Sequence, residues 1–79
     1  MTKEEALSAI TQALRVALKD DNASVKENTD LVAEEILDSL DGMVFLLELS
    51  TITGKEFPED DLVELGFFKV DKLTEYLVR

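Results

Sequence analysis

The sequence predicts an all-α fold: a small bundle of three main helices and one short helix around a single core. Three observations lead there. Leu7, Ile10, Leu14 and Leu18 recur at helical spacing behind Thr2 and Glu5, which have the pattern of a capping box. A run of mainly apolar residues from Leu40 to Ile52 lies between Asp38, a residue that favours helix starts, and Gly54, one that favours helix stops. Val70, Leu73, Tyr76 and Leu77 then mark a last helix towards the C-terminus.

The first helix is expected from about Thr2 to Lys19, with Ala6, Ala13 and Ala17 beside its apolar stripe, and Asp20-Asp21-Asn22 ends it. No period is sustained from Asn22 to Asp38, so this stretch reads as a long loop. Its scattered apolar residues, Val25, Leu31, Val32, Ile36 and Leu37, predict that it packs onto the helices, with a short helical turn over Leu31 to Glu35. The second helix follows Asp38, carries Asp41 in its first turn to complement the dipole, and runs to about Thr53. Gly42 within it weakens the helix by about 1 kcal/mol relative to alanine. Lys55-Glu56-Phe57 is expected to be extended, as the residue before Pro58 prefers. A short third helix is expected over Glu59 to Leu65, ended by Gly66, and Phe67 and Phe68 anchor the connection to the last one. Phe57 and Tyr76 read as further core or loop anchors.

With 79 residues there is room for one domain, 1–79, and a modest core. The 46% hydrophobic and 33% charged content belongs to a folded chain rather than a disordered one. The sequence contains no cysteine and no histidine, which removes disulfides, thiolate metal sites and the commonest general base, and no metal site is expected. No apolar run approaches the length of a membrane span, and Met1 to Glu5 lack the layout of a secretory signal, so the expectation is a cytoplasmic monomer with no membrane insertion.

The formal net charge of −10 makes nucleic acid an unfavourable partner. Between Glu27 and Glu64 there are twelve acidic residues and one basic residue, Lys55. One side of the molecule is therefore expected to be strongly negative and to steer basic partners towards it.

At about 100° per residue, the apolar residues of the second helix divide into two groups. Leu40, Met43, Val44 and Leu47 cluster on one side; Phe45, Leu49 and Ile52 fall on the other, with Leu46 between. A chain this short can hardly surround a helix, so one stripe next to Ser39 is expected to stay exposed. Periodicity does not say which.

Ser39 itself stands between Asp38 and Leu40 at the helix start, where serine is an ordinary residue. Nucleophilic catalysis needs a base in reach; the chain lacks histidine and has no G-x-S-x-G elbow. A calcium loop fails too: Gly42 at its sixth position puts Leu37 where an acid is required, although Glu48 falls at the twelfth. What survives is Ser39 as an acceptor modified by another protein, with a helix N-terminus suited to an attached phosphate.

The stretches LDSLDGMVFLLEL, GKEFPEDDL and VDKLTEYL resemble those of acyl carrier proteins, and the resemblance covers essentially the whole chain. It implies the acyl-carrier-protein fold and a carrier that is not itself an enzyme. Ser39 matches the serine that receives 4′-phosphopantetheine from coenzyme A, and Asp38 and Leu40 match its neighbours. Acyl groups would ride on that arm as thioesters between enzymes of fatty acid, lipid or polyketide biosynthesis. The implied partners are a phosphopantetheinyl transferase and acyl-activating, acyl-transferring or condensing enzymes with basic patches. They would meet the second helix around Asp41, Val44, Leu47 and Glu48, in binding that is weak, fast and salt-sensitive.

The chain departs from the family pattern where exposed glutamates are usual: the matching positions hold Val44, Ser50 and Thr51. Thr53 stands where a core phenylalanine is common, with Ile52 or the Phe67-Phe68 pair available to fill that space. EEILDSL and GFFKVDKL are also similar to D-alanyl and other aminoacyl carriers. The expectation is a specialised carrier whose partners meet an apolar patch of Leu40, Val44 and Leu47, so that Val44→Glu impairs the loading enzyme. From a different class, the alternative is a small acidic interaction module with Ser39 unmodified.

Overall fold

A computed structural model describes residues 1–31, 33–57 and 68–78, and of Ser39 the backbone. The described residues form three helices, α1 (Lys3–Leu18), α2 (Ser39–Thr53) and α3 (Val70–Val78), and no strand. The short helix expected over Glu59 to Leu65, and with it Pro58, Gly66 and Phe67, lies outside the described residues.

The start of α1 forms as its sequence predicts, while its stop is set by Lys19, which the sequence placed inside the helix ahead of Asp20-Asp21-Asn22. Thr2 Oγ1 accepts the Glu5 N–H at 3.2 Å, and Glu5 Oε1 accepts the Thr2 N–H at 3.1 Å. These bonds hold the Glu5 carboxyl below the ordinary glutamate value, the backbone bond from Thr2 contributing most and its side chain next. Lys19 closes the helix in the left-handed conformation, φ 55°.

α1 packs against both α2 and α3. It contributes Ala6, Ala9, Ile10, Ala13, Leu14 and Ala17 to the core; α2 contributes Phe45, Leu46 and Leu49; α3 contributes Val70, Leu73 and Leu77. The alanines bring the helix backbones close together, while Phe45 and the leucines fill the space between them.

The long connection between α1 and α2 is also part of the core, through Leu31 and Leu37. Arg15 Nε donates to the Ala23 carbonyl at 2.9 Å, and Lys3 pairs with Glu27 at 2.8 Å in a pair too exposed to add much stability. Of the helical turn expected over Leu31 to Glu35, Val32 lies outside the described residues, and the others follow one turn closed between Asp30 and Glu34. Asp30 Oδ1 accepts the Ala33 N–H, Glu34 donates to the Asp30 carbonyl, and Glu34 Oε2 accepts the Asp30 N–H. Glu35, at φ 58°, reverses the chain, and Ile36 and Leu37 both donate to the Leu31 carbonyl.

This connection is fastened to the entrance of α3. The Leu31 N–H donates to the Phe68 carbonyl at 2.7 Å and the Val70 N–H to the Thr29 carbonyl at 2.9 Å, an isolated antiparallel bridge between Asp30 and Lys69. A second tie follows α2. The Tyr76 hydroxyl donates to the Glu56 carbonyl at 2.6 Å, its ring packs against Phe57 at 5.4 Å between centroids, and Lys55 Nζ donates to the Tyr76 carbonyl at 3.3 Å. Phe57, Phe68 and Tyr76 are thus the anchors the sequence suggested, all partly buried against the core.

Candidate functional site

The candidate site is the first turn of α2 and the outer face that continues from it. Leu37, buried, pins the chain just before the helix. Asp38 then caps it: its Oδ1 accepts the Asp41 N–H at 2.7 Å and its carbonyl accepts the Gly42 N–H at 2.8 Å. Ser39 is the first helical residue, at the junction of loop and helix.

Gly42 has a reason that the sequence did not reveal. It is buried, and a Cβ placed on it would lie 3.0 Å from Cε1 and 3.1 Å from Cζ of Phe68. The absent side chain lets the aromatic edge sit directly on the helix backbone, one turn from Asp38. Thr53, where a core phenylalanine was in question, is half-buried and turns its hydroxyl to the Leu49 carbonyl at 2.8 Å.

Of the two apolar stripes on α2, the one with Phe45 and Leu49 faces inward, with Leu46 beside it and Ile52 partly covered. The other lies open: Leu40 is 71% exposed, Met43 63%, Val44 41% and Leu47 71%. Leu40, Val44 and Leu47 therefore share one exposed face, and Met43, which the patch expected from sequence left out, joins them. Thr51, also exposed, extends that face by a turn. Asp41 and Glu48, each one position beyond an exposed leucine, form a half-buried acidic row along one edge of the stripe. On the opposite edge α2 offers Ser50 and the buried Leu46. The predicted residues Asp38, Leu40, Asp41, Val44, Leu47 and Glu48 thus line a single helix that begins at Ser39.

Asp38 and Leu40, on either side of position 39, are both exposed. A helix N-terminus such as this one favours negative charge. Among the described residues there is no cluster of three acidic side chains able to hold a metal ion, and no helix is long and apolar enough to cross a membrane.

No protein-family model, curated protein or solved structure matches this chain.

Proposed function

We propose that this protein is an acyl carrier, modified on Ser39 by 4′-phosphopantetheine from coenzyme A and passing acyl groups between enzymes of fatty acid, lipid or polyketide biosynthesis. One observation carries the reading: the serine position opens a capped helix whose outer face is an exposed apolar stripe bordered by acids. When bound, the arm supplies a thiol for thioester chemistry, which a chain without cysteine does not have. The chain's own part is presentation. Asp38 caps the helix and fixes position 39 at its start, while the face of α2 offers a surface to enzymes that act there.

In this reading the protein acts in the cytoplasm as a monomer and catalyses nothing itself. Its apolar outer face favours a specialised carrier, with an aminoacyl carrier of the D-alanyl type as the nearest variant. The test is an intact mass after incubation with coenzyme A, Mg²⁺ and a broad-specificity phosphopantetheinyl transferase, with Ser39→Ala in parallel. A gain of one phosphopantetheinyl group by the native chain alone is expected. No gain returns Ser39 to an ordinary helix-start residue and leaves an unmodified acidic interaction module as the reading.

A further inference from the structure

We propose that Phe68 is a positioning residue for Ser39: it holds the chain on both sides of position 39, after the serine by its ring and before it by its carbonyl. The proposal rests on the modification of Ser39 proposed above and adds what governs its rate.

The two holds are separate. The ring lies where a side chain of residue 42 would stand: a Cβ there falls 3.0 Å from Cε1 and 3.1 Å from Cζ of Phe68, and Gly42 is buried. The carbonyl accepts the Leu31 N–H at 2.7 Å, and the Leu31 carbonyl in turn accepts the N–H groups of Ile36 at 3.0 Å and Leu37 at 2.9 Å. Leu37 is buried and runs directly into Asp38. Positions 37 and 42 bracket Ser39, and one residue at the entrance of α3 grips both.

The first turn of α2 needs such a hold. The leading N–H groups of a helix have no partner further back in it. The fourth residue of α2 is Gly42, and glycine leaves a helical backbone the most freedom to unwind. Asp38 receives the Asp41 N–H at 2.7 Å and the Gly42 N–H at 2.8 Å only while the turn stays wound. The Phe68 ring supplies by packing the restraint that a side chain at 42 would supply by limiting the backbone. Leu40, Met43 and Val44 point outward and add nothing to it.

In the proposed modification the serine oxygen forms a bond to the pantetheine-bearing phosphorus of coenzyme A. The bond from that phosphorus to adenosine 3′,5′-bisphosphate breaks, and the hydroxyl proton passes to the transferase or to water. Such a displacement depends steeply on where the oxygen stands, a misplacement of about 1 Å costing up to about a hundredfold. This chain is the substrate of that reaction, so two roles of Phe68 separate in the kinetics. Partial unfolding removes substrate and raises KM, whereas a loosened first turn misplaces the oxygen and lowers kcat.

The experiment is steady-state modification by the phosphopantetheinyl transferase, followed by mass, with amide exchange measured on the unmodified chains. Phe68→Ala is expected to lower kcat about tenfold with KM within about twofold of the native value. Phe68→Leu, a smaller cut that keeps apolar bulk beside Gly42, should lower kcat about threefold. Adding Gly42→Ala to Phe68→Ala should restore most of kcat, because alanine stiffens the turn that the ring no longer holds. Tyr76→Phe, which loosens the far end of α3, leaves kcat unchanged. In Phe68→Ala the Asp41 and Gly42 amides should exchange about tenfold faster, with α1 unaffected. A native kcat in both Phe68 variants, a loss confined to KM, or a kcat that Gly42→Ala does not restore overturns the positioning role. Failure of the native chain to gain mass overturns the modification and the role together; mass gain with a kcat indifferent to Phe68 overturns the role alone.

Discussion

Replacing Gly42 with alanine sets two effects of opposite sign against each other. In an open helix the change stabilises by about 1 kcal/mol, because alanine restricts the unfolded chain and suits the helix. Here the new methyl group would lie 3.0 Å and 3.1 Å from two carbons of the Phe68 ring. Carbon atoms prefer about 3.5–4.0 Å, so the ring must retreat by roughly half an ångström or more. Its retreat is limited, because the Phe68 carbonyl is held by the Leu31 N–H at 2.7 Å. Overpacking of this kind costs about 1–3 kcal/mol. The overpacking term exceeds the propensity gain, and Gly42→Ala should be about 1 kcal/mol less stable than the native protein. In a Phe68→Ala background the obstacle is gone, and the same change should stabilise by about 1 kcal/mol. Urea unfolding of the four proteins gives a double-mutant cycle with an expected coupling of about 2 kcal/mol. A Gly42→Ala effect equal in sign and size in both backgrounds would refute the reasoning, and Gly42 would be no more than a weak point in α2.

Asp38→Ala removes the acceptor of the Asp41 N–H and should destabilise by about 1 kcal/mol in urea unfolding, while Asp38→Asn keeps most of the cap. Tyr76→Phe deletes the hydrogen bond to the Glu56 carbonyl but leaves the ring against Phe57; a loss of about 1 kcal/mol is expected, with faster amide exchange around residues 55–57 and little change in α1. Glu5 has a lowered pKa in the folded protein, so its cap contributes stability above the unfolded glutamate pKa, and that contribution is lost as pH falls through the folded value. A carboxyl titration followed by NMR should find its midpoint below the ordinary glutamate value, and Thr2→Ala should move it back up; a midpoint indifferent to Thr2 would refute the coupling.

The start of α1 and both ends of α2 were legible because caps are local: Thr2 with Glu5, Asp38, and Gly54 each act within a few residues of themselves, whereas nothing in the sequence marked Lys19 as the left-handed stop of α1. The inward face of α2 was not legible, since both of its faces are apolar and a wheel is blind to what lies opposite. The neighbouring helix settles it by packing a face of alanines with Ile10 and Leu14 into the core that also takes Phe45, Leu46 and Leu49. Gly42 looked like a local weakness, because its partner Phe68 is remote in sequence. The bridge from Asp30 to Lys69 had no pattern to announce it: two hydrogen bonds need no strand-like alternation on either side. At the candidate site, sequence supplied the residues and left their exposure open, and exposure is what separates an outer apolar face from more core.

That same bridge gives the chain a topology of departure and return. After Leu31 the backbone leaves the junction with Phe68, travels through α2, and comes back to the same place before entering α3. The helix that begins at Ser39 thus belongs to a closed excursion, held at its neck by a pair of backbone amides and along its length by its inward side chains. The outward residues take no part in either restraint. The outer face of α2 can therefore be rewritten by substitution without re-solving the packing of α1 against α3.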